Sequence, residues 1–258
     1  MSVPPATAGH TATRQWQNGA WHPLAENTVR EIRLVVEHDG LCRGLWSRPQ
    51  ELEDLALGNA LLEHPACVAG DSPVPLPAPD GVHVEQRSVD HEGITENHVC
   101  VSINGPRRAQ SDDAEPGSIA AGPLLEIMRT FLSAPGLQAG TGCFHRMGLL
   151  QLARNGEQAQ LMHMVEDIGR HNCLDRLLGY AVRHGLTPGE YALLLSARVT
   201  ASLYTKARRA GFVFLAGRAA VTKASFARAK EQGITLVGFC RPEDGRLTVF
   251  TDARQRVV

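Results

Sequence analysis

A chain of 258 residues with 43% hydrophobic content is long enough to bury a substantial core, as one large domain or two modest ones. Its formal net charge of −1 provides no overall basic field, which disfavours a general nucleic-acid-binding protein. No segment approaches the roughly 18 consecutive apolar residues of a membrane helix, and the N-terminus lacks the pattern of a secretion signal. We therefore expect a cytoplasmic protein that has neither a membrane nor a nucleic acid as its partner.

The first quarter of the chain predicts a loose arm followed by a hairpin and a helix. Residues 1–24 are rich in Ala, Thr, Pro and Gly and have no apolar period, so we expect an arm without regular structure. Apolar residues partly alternate in 29–36 and recur in 41–46, and the His-Asp-Gly sequence between them predicts a β-hairpin. The helical spacing of leucines then predicts a helix over 51–62.

The middle of the chain predicts two more strands and a boundary between domains. Prolines recur between residues 70 and 81, which predicts a linker or surface loop. Strands are expected at 82–89 and 98–103. The stretch 104–122 is polar, rich in Gly, Pro and Asp, and without periodicity, so we place the domain junction there. The predicted organisation is an arm at 1–24, a small α+β domain at 25–110 and an α/β domain at 118–258.

The second half of the chain predicts a parallel sheet. We expect a helix at 123–132, then a hairpin of strands 147–152 and 160–165 around Asn155-Gly156. Downstream, strands and helices alternate, with Thr222 as the cap of the last helix. The predicted elements are 191–195, 201–210, 212–216, 222–232 and 234–239. Such alternation gives parallel strands with helical crossovers, so the fold class is α/β. A final strand at 247–251 is expected at an edge of the sheet.

Ionisable side chains are densest between Glu166 and Arg176, where an apolar strand gives way to an amphipathic helix. The free N–H groups of a helix N-terminus favour an anion, and Gly169 would let the ligand come close to the backbone. Arg170 and His171 add donors of the right charge, and Asn172 is the expected N-cap. This density predicts a ligand site. The alternative is a capped helix with solvated charges.

Three further polar clusters fall at or near the carboxyl ends of predicted strands, where α/β proteins gather ligand groups. They are Thr141 with His145, the segment 196–200 with Lys206, and the segment 239–246. In the last segment, Arg241 and Arg246 flank a Pro/Gly turn, and guanidinium groups suit phosphates. A solvated hairpin turn is the alternative for that segment.

Several ordered motifs resemble those of the formate dehydrogenase accessory protein (FdhD) family. Residues 166–171 are similar to the family's Glu-Asp-Val-Gly-Arg-His, and 49–58 to its Pro-x-Asp-Leu-Glu-x-Leu-Ala-x-Gly helix. Residues 141–145 are similar to Thr-Gly-Gly-x-His, with Cys143 at the third position. Residues 196–200 resemble Ser-Gly-Arg-x-Ser, and 238–241 resemble Gly-Phe-x-Arg/Lys. The resemblance extends from about residue 29 to the C-terminus.

This resemblance implies a three-layer, cytidine-deaminase-like α/β domain preceded by a smaller α+β domain. It also implies a role in formate dehydrogenase maturation, by binding the molybdenum or tungsten bis-molybdopterin guanine dinucleotide cofactor, which GDP mimics, and passing sulfur to it. The implied partners are a cysteine desulfurase and apo formate dehydrogenase, and we expect a homodimer. Our own candidates for the catalytic residues are Cys143 and His145. The implied cofactor-binding residues are Thr141, Gly142, Asp167, Gly169, Arg170, His171, Asn172, Asp175, Ser196, Arg198, Thr200, Lys206, Thr222, Phe239, Cys240, Arg241, Pro242, Gly245 and Arg246.

One feature of the family is missing, the Cys-Gly-x-Cys-Gly loop on which the persulfide forms. The matching stretch, 111–117, contains no cysteine, and neither serine nor a carboxylate can replace an accessible thiol of low pKa. Sulfur transfer therefore needs another thiol. Cys143 is the first choice, because an imidazolium at His145 would lower its pKa. The other candidates are Cys173, Cys240 and Cys100. The alternative function is a non-catalytic cofactor-binding chaperone or regulatory paralogue.

The six cysteines are scattered without a Cys-x-x-Cys pair, which argues against a zinc ribbon and against a disulfide scaffold. A zinc deaminase is also disfavoured, because it needs His-x-Glu and Pro-Cys-x-x-Cys motifs. Here Arg146 and Met147 follow His145. The side chains of Cys143, His145, His163, His171 and Cys173 make only a weak metal-binding pattern, so we expect no metal ligands.

Overall fold

The computed structural model describes residues 8–63, 71–91, 94–111, 114–137, 141–153 and 158–258, which form a mixed α/β fold with several sheets. The strands are β1 Ala8–Gln17, β2 Ala20–Val29, β3 Ile32–His38, β4 Leu41–Ser47, β5 Leu76–Pro77, β6 Val82–His91, β7 Ile94–Ile103, β8 Arg107–Arg108, β9 His145–Gln151, β10 Gln160–Asp167, β11 Ala192–Leu195, β12 Phe214–Gly217, β13 Thr235–Arg241 and β14 Arg246–Thr251. The α-helices are α1 Leu52–Glu63, α2 Ala121–Ser133, α3 Arg170–Arg183, α4 Ala201–Arg209 and α5 Lys223–Glu231.

The second half of the chain is built on a six-stranded sheet with the order β10-β9-β11-β12-β13-β14. The central strands β11, β12 and β13 are parallel, as the alternation of strands and helices predicts. β9 and β10 form the predicted antiparallel hairpin, whose Asn155-Gly156 turn lies outside the described residues. β14 is antiparallel to β13 and lies at the edge, which confirms that prediction.

Both faces of this sheet are covered by helices. Leu193 and Leu195 of β11 point into a core shared with α3, α4 and α5, whereas Ala192 and Leu194 point into a second core beside α2. This alternation follows from the two-residue period of a strand and gives a sheet that is apolar on both faces. The α/β class is confirmed at this level. The specific cytidine-deaminase-like layering stays a prediction.

The first half contributes a four-stranded sheet with the order β4-β3-β7-β6 and the helix α1. The predicted hairpin, the helix and the two following strands are confirmed, each within a few residues. Apolar side chains of β3 and α1 belong to the same hydrophobic core as those of α3, α4 and α5. The two predicted domains therefore share buried surface, and the boundary between them stays a prediction.

Helices α1 and α3 cross with their backbones in contact at two glycines. A Cβ atom on Gly58 would lie 1.9 Å from the carbonyl oxygen of Asp175, and one on Gly179 would lie 2.0 Å from that of Asp54. Only a residue without a side chain allows so close an approach. The crossing therefore fixes α1, and the sheet that carries it, against the start of α3.

The prediction of an irregular N-terminal arm is wrong for residues 8–24. Strands β1 and β2 form a two-stranded hairpin whose turn is Asn18-Gly19, with φ of 51° and 81°. Positive φ at both turn residues is the geometry that an Asn-Gly pair favours. Trp16 and Trp21 pair edge to face across this hairpin, with ring centroids 5.4 Å apart, and both are exposed.

Helix α3 begins differently from the prediction. Its N-cap is Gly169, and Asn172 lies inside the first turn, so the predicted N-cap at Asn172 is wrong. Thr222 does cap α5, where its side chain accepts a hydrogen bond from the Ser225 N–H at 3.4 Å. No helix in the described part of the chain combines the length and the apolar character that crossing a membrane requires.

The helix crossing generates a stability prediction. We expect Gly58→Ala to lower the free energy of unfolding by at least about 2 kcal/mol, because the added methyl group collides with backbone that cannot move alone. Urea unfolding followed by circular dichroism measures the change. Gly122→Ala in α2 is the control, since its Cβ would meet nothing within 4 Å. That control should be neutral or stabilising by up to about 1 kcal/mol. Equal stability of the two variants would contradict the close crossing.

Candidate functional site

The strand ends bring most of the predicted site residues to one edge of the large sheet. The carboxyl ends of β10, β11, β12 and β13 lie there, together with the starts of the antiparallel β9 and β14. Asp167 at the end of β10 is opposite His145, and Arg241 at the end of β13 is opposite Arg246. We call this the basic edge. Its exposed or half-buried arginines are Arg170, Arg198, Arg218, Arg241 and Arg246.

One part of the basic edge is a histidine cluster, made of His145, Arg170, His171 and Arg198. Burial, followed by the positive charges of Lys206 and Arg170, lowers the pKa of His171 to about 4. Burial, followed by Arg170 and Arg198, also lowers the pKa of His145. Both imidazoles are therefore mainly neutral near pH 7. A bound anion would oppose these cationic neighbours and favour the imidazolium forms.

The other part is a phenylalanine cluster, made of Phe239, Arg241 and Arg246. The pairing of β13 with β14 is interrupted by a bulge, and Phe239 has a φ of 48°. A bulky residue in this left-handed region costs about 1–3 kcal/mol, and such strain is typical of binding sites. The guanidinium carbons of Arg241 and Arg246 lie 5.3 Å and 4.9 Å from the centre of the phenyl ring. Three other residues of this segment are predicted to bind the cofactor. Cys240 and Pro242 are buried, and Gly245 lies in the exposed turn before β14.

Two donors in these clusters have no acceptor. The Nε atoms of Arg170 and Arg241 are buried and make no hydrogen bond within the part of the chain that the structure describes. A buried donor without a partner costs free energy that an acceptor atom of a ligand would recover. The basic edge therefore has both the charge and the unfilled hydrogen-bonding capacity for an anionic ligand.

Three charged residues predicted to bind the cofactor lie inside the protein instead: Asp167, Asp175 and Lys206. Asp175 contacts the Lys206 ammonium at 2.7 Å and accepts a hydrogen bond from Asn59 at 3.0 Å. Burial raises the pKa of Asp175, and the Lys206 charge opposes that rise. Lys206 also pairs with Glu63 at 2.9 Å. In this structure the three side chains join α1, α3 and α4 and do not face the open surface.

Asp167 is paired with Arg176, and both side chains are fully buried. The Nε and Nη2 atoms of Arg176 lie 2.8 Å and 2.7 Å from Asp167 Oδ2. The remaining donors of Arg176 bind the backbone carbonyls of Arg48, Gln50 and Glu51. A buried carboxylate needs such a partner, because an unpaired charge in the interior is strongly destabilising.

The neighbouring carboxylate, Glu166, is paired in the same way on the other side of the sheet. Arg146 Nε donates to Glu166 Oε1 at 2.5 Å, and Arg146 Nη1 donates to the carbonyls of Phe131 and Leu132 at the end of α2. The second oxygen, Oε2, accepts the Leu137 N–H at 2.7 Å. Arg146 is directly opposite Glu166 in the register of β9 and β10.

The turn before β9 carries Thr141, Gly142 and Cys143. Cys143 is exposed, and its N–H donates to Thr141 Oγ1 at 3.3 Å. The prediction that an imidazolium at His145 activates this thiol is not supported, because the surroundings of His145 favour the neutral imidazole. An activating charge for Cys143 would have to come from the arginines of the basic edge.

The other candidate thiols are poorly placed for reaction. Cys173 is fully buried, and burial followed by Asp167 raises its pKa far above the ordinary value. Burial, with a smaller contribution from Glu243, raises the pKa of Cys240 to about 12. Burial and a hydrogen bond to Glu37 raise the pKa of Cys100. Of the cysteines that the structure describes, only Cys42 and Cys143 are exposed, and Cys42 lies on β4, outside the basic edge.

Several predicted site residues have partners within the protein. Ser196 Oγ accepts the Arg146 N–H at 2.9 Å, and Asn172 Nδ2 donates to the Trp46 carbonyl at 2.7 Å. Thr200 Oγ1 lies 3.2 Å from Ser202 Oγ, which in turn lies 3.3 Å from His171 Nε2. These contacts connect the start of β9, the segment after β11 and the start of α3 beside the histidine cluster.

The sequence also contains site residues that the motif analysis did not single out. Arg146 follows the His145 motif directly, and Arg218 follows the apolar strand β12 at the basic edge. A signal for Arg218 is present in the sequence, since it is a cation that follows a parallel strand, as Arg198 follows β11. Within the described residues, no three side chains of His, Cys, Asp or Glu come together as a metal-binding group.

The described part of the stretch where the family resemblance implies a cysteine loop, residues 111 and 114–117, lies towards the opposite end of the sheet. Glu115 pairs with Arg254 at 2.5 Å, and Arg256 binds the carbonyls of Ala114 and Val213. Val213 directly precedes β12, so this contact is at the amino ends of the parallel strands. Of the two exposed thiols that the structure describes, Cys143 is the one on the same edge as the histidine and phenylalanine clusters.

Comparison with known proteins gives a consistent result along the chain. The FdhD/NarQ family model matches residues 30–258. The sulfur carrier protein FdhD of Listeria innocua is 30% identical over 256 residues, covering 92% of this chain and 94% of its own. The protein of the same name from Chromobacterium violaceum is 27% identical, and the match covers 87% of this chain and 88% of that protein. The same fold is found in the crystal structure of a protein from Desulfotalea psychrophila that is assigned as a formate dehydrogenase accessory protein. The TM-score is 0.72 and the sequence identity 20%, and the match covers 97% of this chain and 99% of that one.

The histidine cluster predicts acid sensitivity. The pKa of His171 is about 4 in the folded protein, below the ordinary value of 6.5. Between these values the unfolded chain binds the proton more strongly, so stability falls as pH drops from about 6.5 towards 4. We expect His171→Asn to reduce the loss of Tm between pH 7 and pH 5, measured by differential scanning calorimetry. His22→Asn, on the exposed hairpin, is the control. An unchanged pH dependence in His171→Asn would contradict the assignment.

Proposed function

Because the chain belongs to the FdhD/NarQ family, we propose that it is a formate dehydrogenase accessory protein that binds a guanine-dinucleotide form of the molybdopterin cofactor along the basic edge. The observation that carries this proposal is the arrangement of two cationic clusters, one of them built around an aromatic ring, on one edge of a sheet. The curated relatives from Listeria innocua and Chromobacterium violaceum bear the name sulfur carrier protein FdhD, which supports the same role.

The spacing of the clusters suits a dinucleotide. The histidine cluster lies at β10, β9 and β11, and the phenylalanine cluster at β13 and β14. From β9 to β13 there are three strand spacings, which is about 14 Å. Arg198 and Arg218 follow the two intervening strands, β11 and β12. A planar base beside Phe239 would leave the phosphates near these arginines, and guanidinium groups bind phosphates with two hydrogen bonds.

The residues present fit this ligand in chemistry as well as in spacing. Phe239 offers an aromatic ring close to two cations, and the buried Nε atoms of Arg170 and Arg241 lack acceptors among the described residues, which phosphate oxygens would supply. The molybdenum or tungsten bis-molybdopterin guanine dinucleotide is the cargo in this proposal, and GDP is the part of it that the phenylalanine cluster would recognise. The protein's own contribution is to hold and orient the nucleotide.

The sulfur-carrying step is assigned to Cys143. In the proposed step, its thiolate attacks the outer sulfur of a persulfide on a cysteine desulfurase. A new S–S bond forms on Cys143 as the S–S bond in the desulfurase breaks, and the desulfurase cysteine leaves as a thiolate. Exposure of Cys143 at the basic edge supports this choice. The proposed partners are the desulfurase and apo formate dehydrogenase, and the proposed assembly is a homodimer.

A second candidate function is a cofactor-binding chaperone or regulatory paralogue without sulfur transfer. One observation favours it: residues 111–117 contain no cysteine where the family resemblance implies the persulfide loop. Nucleotide binding is common to both functions, and only the thiol chemistry separates them.

The first test of the proposal is nucleotide binding. We expect wild type to bind GDP with a micromolar Kd, and Arg241→Ala combined with Arg246→Ala to weaken it by about tenfold to a hundredfold, because the charge-assisted contacts that are lost together contribute about 1.4–2.7 kcal/mol. Isothermal titration calorimetry measures both. Arg254→Ala is the control, since it removes one arginine charge at the opposite end of the sheet. Absence of GDP binding by wild type would rule out the site.

The second test concerns sulfur. Incubation with a cysteine desulfurase and radiolabelled cysteine should label wild type, and Cys143→Ala should lose the label because it lacks the accepting thiol. Cys42→Ala, which removes the other described exposed thiol, should keep it. Label retained by Cys143→Ala would move the reaction to a different cysteine. No persulfide on any cysteine would favour the binding-only function.

A further inference from the structure

Glu166 and Asp167 are adjacent at the end of β10, so their side chains point to opposite faces of the sheet. Glu166 meets Arg146 at 2.5 Å beside the end of α2, and Asp167 meets Arg176 at 2.7 Å on α3. Each carboxylate is neutralised by its own buried arginine. The second oxygen of each carboxylate accepts hydrogen bonds from a different segment of the chain.

The second oxygen of Glu166 holds the turn that carries Cys143. The Leu137 N–H donates to Glu166 Oε2 at 2.7 Å, and the Leu137 carbonyl accepts Thr141 Oγ1 at 3.2 Å. The same Thr141 oxygen accepts the Cys143 N–H at 3.3 Å. Three consecutive hydrogen bonds therefore connect the Glu166 side chain to the backbone of Cys143, through Leu137 and Thr141.

The second oxygen of Asp167 holds the turn that carries Arg170 and His171. Asp167 Oδ1 accepts the Gly169 N–H at 3.0 Å and Asn172 Nδ2 at 2.9 Å. Gly169 is the N-cap of α3, so these bonds fix where the helix starts. The direction of the Arg170 and His171 side chains, which follow Gly169, depends on that start.

We propose that Glu166 and Asp167 are positioning residues with separate tasks, Glu166 for the thiol of Cys143 and Asp167 for the anion-binding pair Arg170 and His171. The roles of the thiol and of the anion rest on the proposed function, whereas the division of hydrogen bonds does not. The register of β9 and β10 sets Glu166 opposite Arg146 and Asp167 opposite His145. The segments that precede β9 and follow β10 are therefore held at fixed positions relative to each other.

Matched isosteric variants separate the two tasks. Glu166→Gln and Asp167→Asn each replace a carboxylate with an amide, which has one acceptor oxygen, so the buried arginine and the turn N–H compete for it. The arginine is charged and binds that oxygen more strongly, so the turn is released. Thermal unfolding of both variants verifies that they fold.

Glu166→Gln should slow persulfide loading of Cys143 by about tenfold or more and leave the Kd for GDP within about twofold of wild type. Asp167→Asn should weaken GDP binding by about tenfold or more and leave persulfide loading within about twofold. A purely structural role predicts that both variants impair both activities together, and that outcome would overturn the proposal.

Amide hydrogen exchange provides a readout that needs neither GDP nor sulfur. In wild type, the Leu137 and Gly169 amides should exchange slowly, because each donates to a buried carboxylate. Glu166→Gln should accelerate exchange at Leu137 alone, and Asp167→Asn at Gly169 alone. Slow exchange with no GDP binding or sulfur loading would contradict the proposed function and support the positioning. Fast exchange at either amide in wild type would overturn the positioning, even if a variant fails to fold.

Discussion

The structure depends on the neutralisation of two carboxylates that are buried next to each other at the end of β10. Glu166 and Asp167 lie on opposite faces of the sheet, and each would be strongly destabilising without a guanidinium partner. Arg146 comes from the neighbouring strand and Arg176 from the following helix. The strand, the helix and the two turns at the basic edge are therefore fixed by the same requirement.

The same requirement joins the first half of the chain to the second. After pairing with Asp167, the Arg176 guanidinium still has donors, and the carbonyls before α1 accept them. One of these carbonyls belongs to Glu51, whose φ of 50° is strained for a residue with a side chain. The glycine crossing at Gly58 and Gly179 then brings α1 close enough for Asn59 to reach Asp175. The N-terminal sheet is thus a support for the site as well as a neighbour of it.

The basic edge differs from a general basic surface in how its charges are arranged. The arginines supply the positive charge, whereas burial keeps His145 and His171 largely neutral. An anion that enters this edge meets fixed charges and two groups that can take up protons as it binds. The strained Phe239, whose ring lies close to two arginines, adds an aromatic group to these charges. These properties favour a ligand that combines phosphates with an aromatic base.

The sequence by itself determined the FdhD/NarQ family, the parallel strands, most of the helices and strands, and the edge at which the polar motifs meet, because periodicity and strand-end position are local properties of the chain. It could not determine which polar residues face a ligand. Asp175 has partners in Asn59 and Lys206, which are distant in sequence, so the same carboxylate would be a ligand contact or an internal ion pair depending on how the helices cross. The N-cap of α3 was decided similarly, since Asp167 and the Trp46 carbonyl bind the Asn172 side chain inside the helix. Burial is a property of the packed molecule, and only the tertiary structure decides which charges it encloses.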